Sequence, residues 1–221
     1  MRREGTIDFP DTVEFGMAIK TYLVHFKYPL DRVVALLLLC VLAPAFILLL
    51  LLLCASLRGN PFFIQRRGGY QNRVFNLIKL RTMTNAVDAN GGLLPDRQRL
   101  TRIGRLVRSY SLDELPQLIN IFKGEMSFIG PRPFLAEYLP IYSEEECRRH
   151  QVRPGITGWA QVNGRNALTW KDKFRLDVHY VSEVSFRLDL KIIFWTIVKI
   201  IRRADVDQSS EVTMEKYNGR N

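Results

Sequence analysis

The longest apolar stretch of the chain is Val33–Leu57, which contains no charged residue. As an α-helix it would be about 37 Å long, enough to cross a hydrocarbon core of about 30 Å. Pro44 lies near its middle, and a proline removes a backbone N–H and kinks a helix. The pattern therefore predicts a membrane helix over residues 28–58. The helix either spans the bilayer or re-enters on the same side, with Pro44 as the break.

The residues on both sides of this stretch are basic. Between residues 58 and 82 the chain has no acid and the following basic residues: Arg58, Arg66, Arg67, Arg73, Lys79 and Arg81. Because Lys and Arg are enriched in cytoplasmic segments next to membrane helices, the downstream domain is expected on the cytoplasmic side. Arg66 and Arg67 are expected to face lipid head groups. Lys27 and Arg32 make the upstream flank basic as well, which is the pattern of a re-entrant hairpin.

Short alternating and turn-forming segments follow the membrane helix. Two apolar runs flank Gly68 and Gly69, which predicts a β-hairpin over residues 61–80. Residues 84–99 are rich in Asn, Asp, Gly and Pro and are expected to form a loop. Helical patterns resume near Leu100.

Two motifs mark the middle of the chain. Ser111 and Glu114 have the Ser-x-x-Glu spacing of a capping box, which predicts the start of a short helix. Residues 125–133 contain one glycine and two prolines and are expected to form a rigid loop.

The C-terminal region has a helical apolar stripe. The residues of this stripe are Leu190, Ile193, Phe194, Ile197 and Ile201. Such a stripe is typical of an amphipathic helix in the membrane interface and equally of a core helix, so both interpretations stay open. The polar residues from Ala204 onward are expected to form a loose tail.

The amino-acid composition limits the classes of binding partner and of functional site. The formal net charge is +10, which favours an anionic partner: nucleic acid, acidic lipid or a phosphorylated substrate. The three cysteines form no Cys-x-x-Cys pair, and the three histidines are scattered, so neither a disulfide framework nor a zinc site is predicted. The absence of a P-loop and of a G-x-G-x-x-G motif disfavours a kinase or a dinucleotide enzyme.

The adjacent acids Asp113 and Glu114 are the first candidates for chemistry. Neighbours on a helix diverge by about 100°, so they predict a division of labour rather than a symmetric clamp. Ordinary capping at the first turn of a helix is the alternative. Arg108 stands five residues upstream of Asp113, and Arg132 lies between two prolines, so both are candidates for binding phosphate oxygens.

Taken in order, several strings resemble the bacterial sugar transferase family of monotopic phosphoglycosyl transferases, over roughly Tyr28 to Arg203. The strings are Lys79-Leu80-Arg81-Thr82-Met83, Ser111-Leu112-Asp113-Glu114-Leu115-Pro116-Gln117, Met126-Ser127-Phe128-Ile129-Gly130-Pro131-Arg132-Pro133, Arg153-Pro154-Gly155-Ile156-Thr157-Gly158-Trp159-Ala160-Gln161-Val162-Asn163-Gly164-Arg165 and Leu176-Asp177-Val178-His179-Tyr180-Val181.

The resemblance implies a two-step transfer. Asp113 would attack the sugar-bearing phosphate of a UDP-sugar, expel UMP and form a phosphosugar-aspartyl enzyme, and polyprenyl (undecaprenyl) phosphate would then take the hexose 1-phosphate. Mg²⁺ held by Asp113 and Glu114 would offset phosphate charge. The expected phosphate- or substrate-binding residues are Arg108, Arg132, Lys79, Arg81, Arg153, Gly155, Gln161 and Arg165.

The resemblance also implies an architecture: α+β, mostly α, with a re-entrant membrane helix, interfacial amphipathic helices, a small β-hairpin and a cytoplasmic catalytic domain. The segments are 1–27 (N-terminal), 28–58 (membrane helix), 59–203 (catalytic) and 204–221 (polar tail). The family breaks its helix at a Ser-Pro pair, whereas this chain has Ala43-Pro44. The chain resembles the small members, which lack additional N-terminal membrane helices.

The expected partners are a UDP-sugar donor, a polyprenyl phosphate acceptor and the phospholipid bilayer of a bacterial inner membrane, and a homodimer stays open. Two other functions compete with the enzyme. One is a nucleotide-sugar binding protein without turnover, against which the intact Asp113 and Glu114 argue. The other is a membrane-tethered nucleic-acid binder, for which no nucleic-acid module is recognisable. No nucleic-acid partner is therefore expected.

Overall fold

The computed structural model describes residues 16–164, 167–202 and 216–219 of the 221-residue chain. In this part of the protein helices dominate, and the strands form two small sheets, so the fold is α+β and mostly α, as predicted. The α-helices are α1 (Met17–Thr21), α2 (Tyr28–Leu57), α3 (Asp96–Arg99), α4 (Arg102–Ser109), α5 (Gln117–Lys123), α6 (Glu144–Cys147), α7 (Trp159–Val162), α8 (Trp170–Glu183) and α9 (Phe186–Arg202). The strands are β1 (Phe62–Gly68), β2 (Val74–Leu80), β3 (Ser127–Ile129) and β4 (Gly155–Thr157).

The N-terminal helix runs continuously from Met17 to Leu57, because a π-helical segment, Tyr22–Lys27, joins α1 to α2. Within the described residues it is the helix that is long and apolar enough to cross a membrane, by length and composition. It thus starts upstream of residue 28, and Pro44 lies inside an uninterrupted α2. The outer face of α2 exposes large apolar side chains: Leu30, Val33, Leu36, Leu37, Val41, Ile47, Leu48, Leu51 and Leu52.

The π-helical segment brings two side chains five residues apart to the same acid. The Tyr22 hydroxyl donates to Asp189 Oδ2 at 2.8 Å, and the Lys27 ammonium donates to the same oxygen at 2.6 Å. A π-turn bonds residue i to residue i+5, so such positions come to one side, whereas in an α-helix they diverge. The Tyr180 hydroxyl donates to Asp189 Oδ1 at 2.8 Å. This group fastens the N-terminal helix to α9.

Both halves of α2 pack on the rest of the protein, and the partner changes at Pro44. Before Pro44, Ala35 is fully buried in a cluster formed with β2 and α5. After Pro44, Leu53 is fully buried in a second cluster formed with the end of β2 and with α4. Near its start, α2 is also tied to β3, because the Ser127 hydroxyl donates to Asp31 Oδ2 at 2.6 Å.

The hairpin predicted over residues 61–80 is confirmed. β1 and β2 pair antiparallel from Phe62 opposite Leu80 to Gly68 opposite Val74. The connecting turn includes Gln71 and Asn72, both with left-handed backbone (φ 53° and 57°). Residues 84–99, which were predicted to form a loop, contain no described strand or helix except the short α3 at their end.

Tight glycine contacts hold the predicted rigid loop. β3 lies inside residues 125–133 and pairs in parallel with β4. A Cβ at Gly130 would lie 2.3 Å from the Arg153 carbonyl oxygen, and a Cβ at Gly158 would lie 2.1 Å from the Gly130 carbonyl oxygen. Because no side chain fits at such distances, the backbone crossing requires glycine at both places and fixes the chain that follows β3.

The expected loose tail is wrong for Lys216–Gly219, the part of residues 204–221 that the structure describes. Tyr217 is 6% exposed, and its hydroxyl donates to the Glu146 carboxylate at 2.9 Å. Burial of an aromatic ring and a satisfied hydroxyl together stabilise this docking. The rings around Tyr217 are those of Tyr138, Tyr142, Trp170 and Phe174.

The stripe predicted at the C-terminus lies on α9 and is exposed. Its members Leu190, Ile193, Phe194, Ile197 and Ile201 are 41–75% exposed, whereas Ile192 on the opposite side is fully buried. The interpretation of this stripe as part of a soluble core is therefore wrong. An exposed apolar helix face of this size is typical of a surface that contacts lipid or protein.

We predict that Asp189→Asn lowers stability by about 3–5 kcal/mol, because it leaves the buried Lys27 ammonium without its counter-charge. The midpoint of thermal unfolding in detergent measures the effect. Adding Lys27→Met to Asp189→Asn should recover part of the loss, since the uncompensated charge is then gone. Equal midpoints for the wild type and Asp189→Asn would contradict the anchoring role.

Candidate active site

Lys79 enters the site from the end of β2, and a buried amide fixes that strand. Asn120 on α5 is fully buried. Its side-chain amide donates to the Asn76 carbonyl at 2.8 Å, and its side-chain oxygen accepts the Ile78 N–H at 3.2 Å. Because both bonds join β2 to α5, Lys79 is held beside the residues that precede α5.

Asp113 and Glu114 lie in a 3₁₀ turn, Leu112–Glu114, shortly before α5. The predicted capping box is wrong. Ser111 has left-handed backbone (φ 54°) and makes no side-chain cap bond, whereas a capping serine usually has extended backbone that aims its hydroxyl at the free amides. Leu112 and Leu115 pack into different apolar clusters on either side, which fixes the orientation of the turn.

The Glu114 carboxylate is shared by two cations. The Lys79 ammonium donates to Glu114 Oε1 at 2.7 Å, and the Arg132 guanidinium donates to the same oxygen at 2.9 Å. Lys79 Nζ also lies 3.8 Å from Asp113 Oδ2, so it bridges the two acids. The structure therefore brings together four predicted site residues from three separate segments of the sequence: Lys79, Asp113, Glu114 and Arg132.

The two acids differ in basicity. Burial raises the pKa of Asp113; Lys79 opposes this effect and the Glu114 charge adds to it. Burial also acts to raise the pKa of Glu114, but Arg132 and Lys79 outweigh it and lower that pKa to about 2. The shifts have opposite directions, so Asp113 is the more basic of the two acids. Asp113 is therefore the better nucleophile, while Glu114 holds the cations.

A buried ion pair holds the loop that carries Arg132. Arg149 donates to Asp177 Oδ2 from Nη2 at 2.7 Å and from Nε at 3.1 Å, and both side chains are 1% exposed. Arg149 Nη2 also donates to the Arg132 carbonyl at 2.5 Å, and its guanidinium stacks over the Phe134 ring. Since buried charges persist only when paired and hydrogen-bonded, this pair specifies the position of the Arg132 backbone.

A polar cavity lies beside the two acids and includes a residue that the sequence analysis misplaced. It is lined by Arg67, Leu77, Lys79, Gln117, Arg132, Pro133 and Gly155. Arg67 Nη1 donates to the Pro133 carbonyl at 3.1 Å, while its buried Nε has no hydrogen-bond partner among the described residues. The expectation that Arg67 faces lipid head groups is therefore wrong. Alternation along β1 turns Arg66 outward and Arg67 inward.

The charges around this cavity favour an anionic ligand. Burial and the neighbouring Arg132 lower the pKa of Arg67 to about 10, so Arg67 stays protonated at neutral pH. Three basic side chains, Arg67, Lys79 and Arg132, thus lie near the two acids Asp113 and Glu114. Guanidinium and ammonium donors in this number are suited to several phosphate oxygens.

The other predicted binding residues lie at various distances from the acids. Arg108 is exposed at the end of α4, and its charge lowers the pKa of Asp113. Gly155 lines the polar cavity. The Arg153 guanidinium lies 4.0 Å from the centroid of the Tyr28 ring, against the N-terminal helix.

Two further predicted residues donate hydrogen bonds to backbone carbonyls near the site. The Gln161 amide donates to the carbonyl of Ile156 in β4 at 3.4 Å. The Arg81 backbone N–H donates to the Pro61 carbonyl at 2.6 Å, which closes the hairpin. Arg165 lies outside the described residues.

Sequence reasoning missed the buried polar residues that support the site, namely Asn120, Arg149 and Asp177. A signal existed for Asp177. It lies three residues after Phe174 and four before Val181, within the buried stripe of α8, and an acid in an apolar stripe is expected to have a buried partner. Asn120 bonds to the distant strand β2, and Arg149 bonds to helix α8 and to the loop that carries Arg132, and no local pattern shows these partners.

The two acids fit a magnesium ion. Mg²⁺ is usually held by one or two carboxylates together with substrate phosphates, rather than by a complete protein cage. Asp113 and Glu114 supply such a pair. Among the described residues, no group of three or more His, Cys, Asp or Glu side chains is arranged to hold a metal, so an all-protein site is not indicated there.

Comparison with known proteins identifies what the chain is similar to. A profile of the family described as bacterial sugar transferase matches residues 22–203. The chain is 54% identical over 162 residues to "Uncharacterized sugar transferase EpsL" of Bacillus subtilis (strain 168), which covers 73% of this chain and 80% of that protein.

Two relatives have more specific names. Over 189 residues the chain is 43% identical to "Undecaprenyl-phosphate glucose phosphotransferase" of Komagataeibacter xylinus, covering 79% of this chain but only 36% of that protein. Over 185 residues it is 37% identical to "UDP-glucose:undecaprenyl-phosphate glucose-1-phosphate transferase" of Caulobacter vibrioides (strain ATCC 19089 / CIP 103742 / CB 15), covering 79% and 69%.

Proposed function

The chain belongs to the bacterial sugar transferase family and is a transferase, and we propose that it moves a hexose 1-phosphate from a UDP-sugar to polyprenyl (undecaprenyl) phosphate and releases UMP. The names of the relatives from Komagataeibacter xylinus and Caulobacter vibrioides support the acceptor. The reaction would be the first membrane step of a bacterial glycan pathway.

One observation carries this proposal: Asp113, the more basic of two adjacent acids, lies 3.8 Å from Lys79, which lines a cavity together with Arg67 and Arg132. The cations can neutralise a diphosphate while the Asp113 carboxylate approaches it. Without them, two anions would repel each other at the distance that bond formation needs.

In the first step, an Asp113 carboxylate oxygen attacks the sugar-bearing phosphorus. The bond from that phosphorus to the bridging anhydride oxygen breaks, and its electron pair leaves with UMP. Glu114 keeps Lys79 and Arg132 in place, because its own pKa of about 2 makes it a permanent anion at neutral pH. Arg67 Nε and Arg132 donate to phosphate oxygens as charge develops on them.

In the second step, a phosphate oxygen of the polyprenyl phosphate attacks the same phosphorus. The bond between Asp113 and phosphorus breaks, Asp113 leaves as a carboxylate, and polyprenyl diphosphate hexose forms. Splitting the transfer into two displacements allows donor and acceptor to use one set of cations in turn.

Magnesium belongs to this proposal as an expected cofactor. Glu114 and Asp113 would hold it, and bound Mg²⁺ would neutralise charge on the donor diphosphate. The protein residues keep the tasks described above: Asp113 forms the covalent bond, and Lys79, Arg67 and Arg132 bind phosphate oxygens.

We predict that Asp113→Asn abolishes UMP release and the phosphosugar adduct, a loss on the order of 10³-fold or more, because the amide cannot attack phosphorus. A UMP-release assay and intact-mass spectrometry of enzyme incubated with UDP-sugar measure the two effects. Asp96→Asn is the matched control, since that side chain is 68% exposed on α3 and should leave both signals unchanged.

Two outcomes of this experiment decide the mechanism. An active Asp113→Asn enzyme would rule out the aspartyl intermediate. Binding of UDP-sugar by the wild type without any UMP release would support a binding protein instead of a transferase.

The second prediction concerns Arg67. Arg67→Ala should lower kcat/KM for UDP-sugar by roughly 10–100-fold, because a hydrogen bond to a charged group contributes about 1.5–3 kcal/mol. Arg67→Lys should recover only part of this, since an ammonium cannot reproduce the planar fork of donors. Arg66→Ala on the exposed side of β1 is the control. Equal losses in Arg66→Ala and Arg67→Ala would remove Arg67 from the donor site.

The third prediction concerns pH. Burial raises the pKa of Asp113, and the attack needs its ionised carboxylate. As the pH is lowered, UMP release should therefore begin to fall at a higher pH than it would if the nucleophile were an aspartate with an ordinary pKa. Lys79 lowers this pKa, so Lys79→Met should move the acid limb to still higher pH as well as reduce the rate. Rates of UMP release across roughly pH 4–8 measure the position of the limb. An unmoved limb in Lys79→Met would contradict the coupling.

We also propose that α2 is re-entrant and that the domain lies on the cytoplasmic face of the inner membrane. Both ends of α2 contact the same domain: Tyr28 lies against Arg153, and Leu57 packs in the cluster that contains Val107. If α2 spanned the bilayer, parts of that domain would have to cross the hydrocarbon core with it. The exposed stripe on α9 would rest on the same leaflet.

This topology predicts that reporter cysteines near residue 5 and near residue 90 are both protected from an impermeant reagent in intact cells and are both labelled after lysis. The background lacks Cys40, Cys54 and Cys147. Pro44→Ala restores a backbone N–H and should shift the population towards spanning. Labelling of the residue 5 reporter in intact cells carrying the unaltered Pro44 would show a true span.

A further inference from the structure

The segment from Asp113 to Leu118 separates two cavities of opposite character. On one side, Gln117 lines the polar cavity that holds Lys79 and Arg132. On the other side, Leu115 and Leu118 line an apolar cavity between α2 and α5. Leu115 is covalently next to Glu114, and consecutive Cα atoms are about 3.8 Å apart, so the apolar cavity begins beside the proposed site of phosphate transfer.

The apolar cavity lies where α2 changes its packing partner. Leu39 and Leu42 belong to the cluster with α5, whereas Phe46 belongs to the cluster with α4. Pro44 lies between these two sets. All five lining residues (Leu39, Leu42, Phe46, Leu115 and Leu118) are apolar, and a cavity without polar groups excludes water and accepts apolar ligands.

The polar cavity is lined by basic side chains and the other cavity is apolar. Together they match an amphiphile with a phosphate head and a hydrocarbon chain. We propose that the cavity between α2 and α5 holds the isoprene units of the polyprenyl phosphate acceptor that lie next to its phosphate. This rests on the proposed function, which requires the acceptor phosphate to reach Asp113. With its head at Lys79 and Arg132, the chain passes Leu115 and enters the cavity at the depth of Pro44.

This arrangement favours the acceptor over a bilayer phospholipid. Leu115 lines the cavity and directly follows Glu114 in the chain, so a hydrocarbon chain in the cavity would lie close to a phosphate bound at Lys79 and Arg132. The outer face of α2, by contrast, exposes residues such as Val41 (75% exposed) to the surroundings, where ordinary acyl chains suffice.

The test fills the cavity and measures the two half-reactions separately. Leu42→Trp places a larger side chain into the cavity, and Val41→Trp places the same side chain on the exposed face as a control. Exchange of labelled UMP into UDP-sugar needs no acceptor and should stay within about twofold of wild type in both variants. Transfer to undecaprenyl phosphate should lose about tenfold or more in kcat/KM, mainly through KM, in Leu42→Trp only.

These readouts separate the cavity from the proposed function. If the wild type shows no exchange of labelled UMP into UDP-sugar, the aspartyl intermediate is refuted. The transfer assay would still compare the two variants. Normal transfer by Leu42→Trp, or an equal loss in Val41→Trp, would overturn the cavity assignment. A wild type that transfers to no polyprenyl phosphate would overturn both proposals.

A second measurement does not depend on a variant that folds. A polyprenyl phosphate with a photoreactive diazirine in its first isoprene unit should label peptides containing Leu39–Phe46 or Leu115–Leu118 of the wild-type enzyme. Labels found only on α9 would overturn the proposal. So would labelling of the cavity by a diazirine phospholipid in vesicles that polyprenyl phosphate fails to displace.

Discussion

The carboxylate of Glu114, held between Lys79 and Arg132, is the interaction on which the rest of the site depends. It joins the end of a β-hairpin, a 3₁₀ turn and a proline-rich loop that are far apart in the sequence. A partly buried anion between two cations is stable only while both remain, since removing either leaves an uncompensated charge. The same arrangement makes Asp113 the more basic of the two acids.

Each arm of this charge cluster is supported by a buried polar contact behind it. Asn120 fixes the strand that carries Lys79, and the Arg149–Asp177 pair fixes the backbone of Arg132. These contacts cost desolvation, so they contribute more to geometry than to stability. A reaction at phosphorus requires such geometry, because donors must already point to where charge will develop.

Local patterns predicted the elements whose cause is local. The hairpin, the long apolar helix and the stripe on α9 follow from turn residues and periodicity. The capping box at Ser111 failed because tertiary cations bind Glu114 more strongly than a backbone amide would. The loose tail failed at Tyr217 because an aromatic pocket from distant helices receives it.

The sequence by itself determined the family resemblance, the adjacent acids and the membrane-seeking helix, because these are carried by residues close together in the chain. Only the tertiary structure decided that Arg67 faces the acids while Arg66 faces outward, and that α2 packs on the same domain before and after Pro44. Both depend on which strand or helix lies opposite. That choice is made by packing between distant segments and has no signature in any one of them.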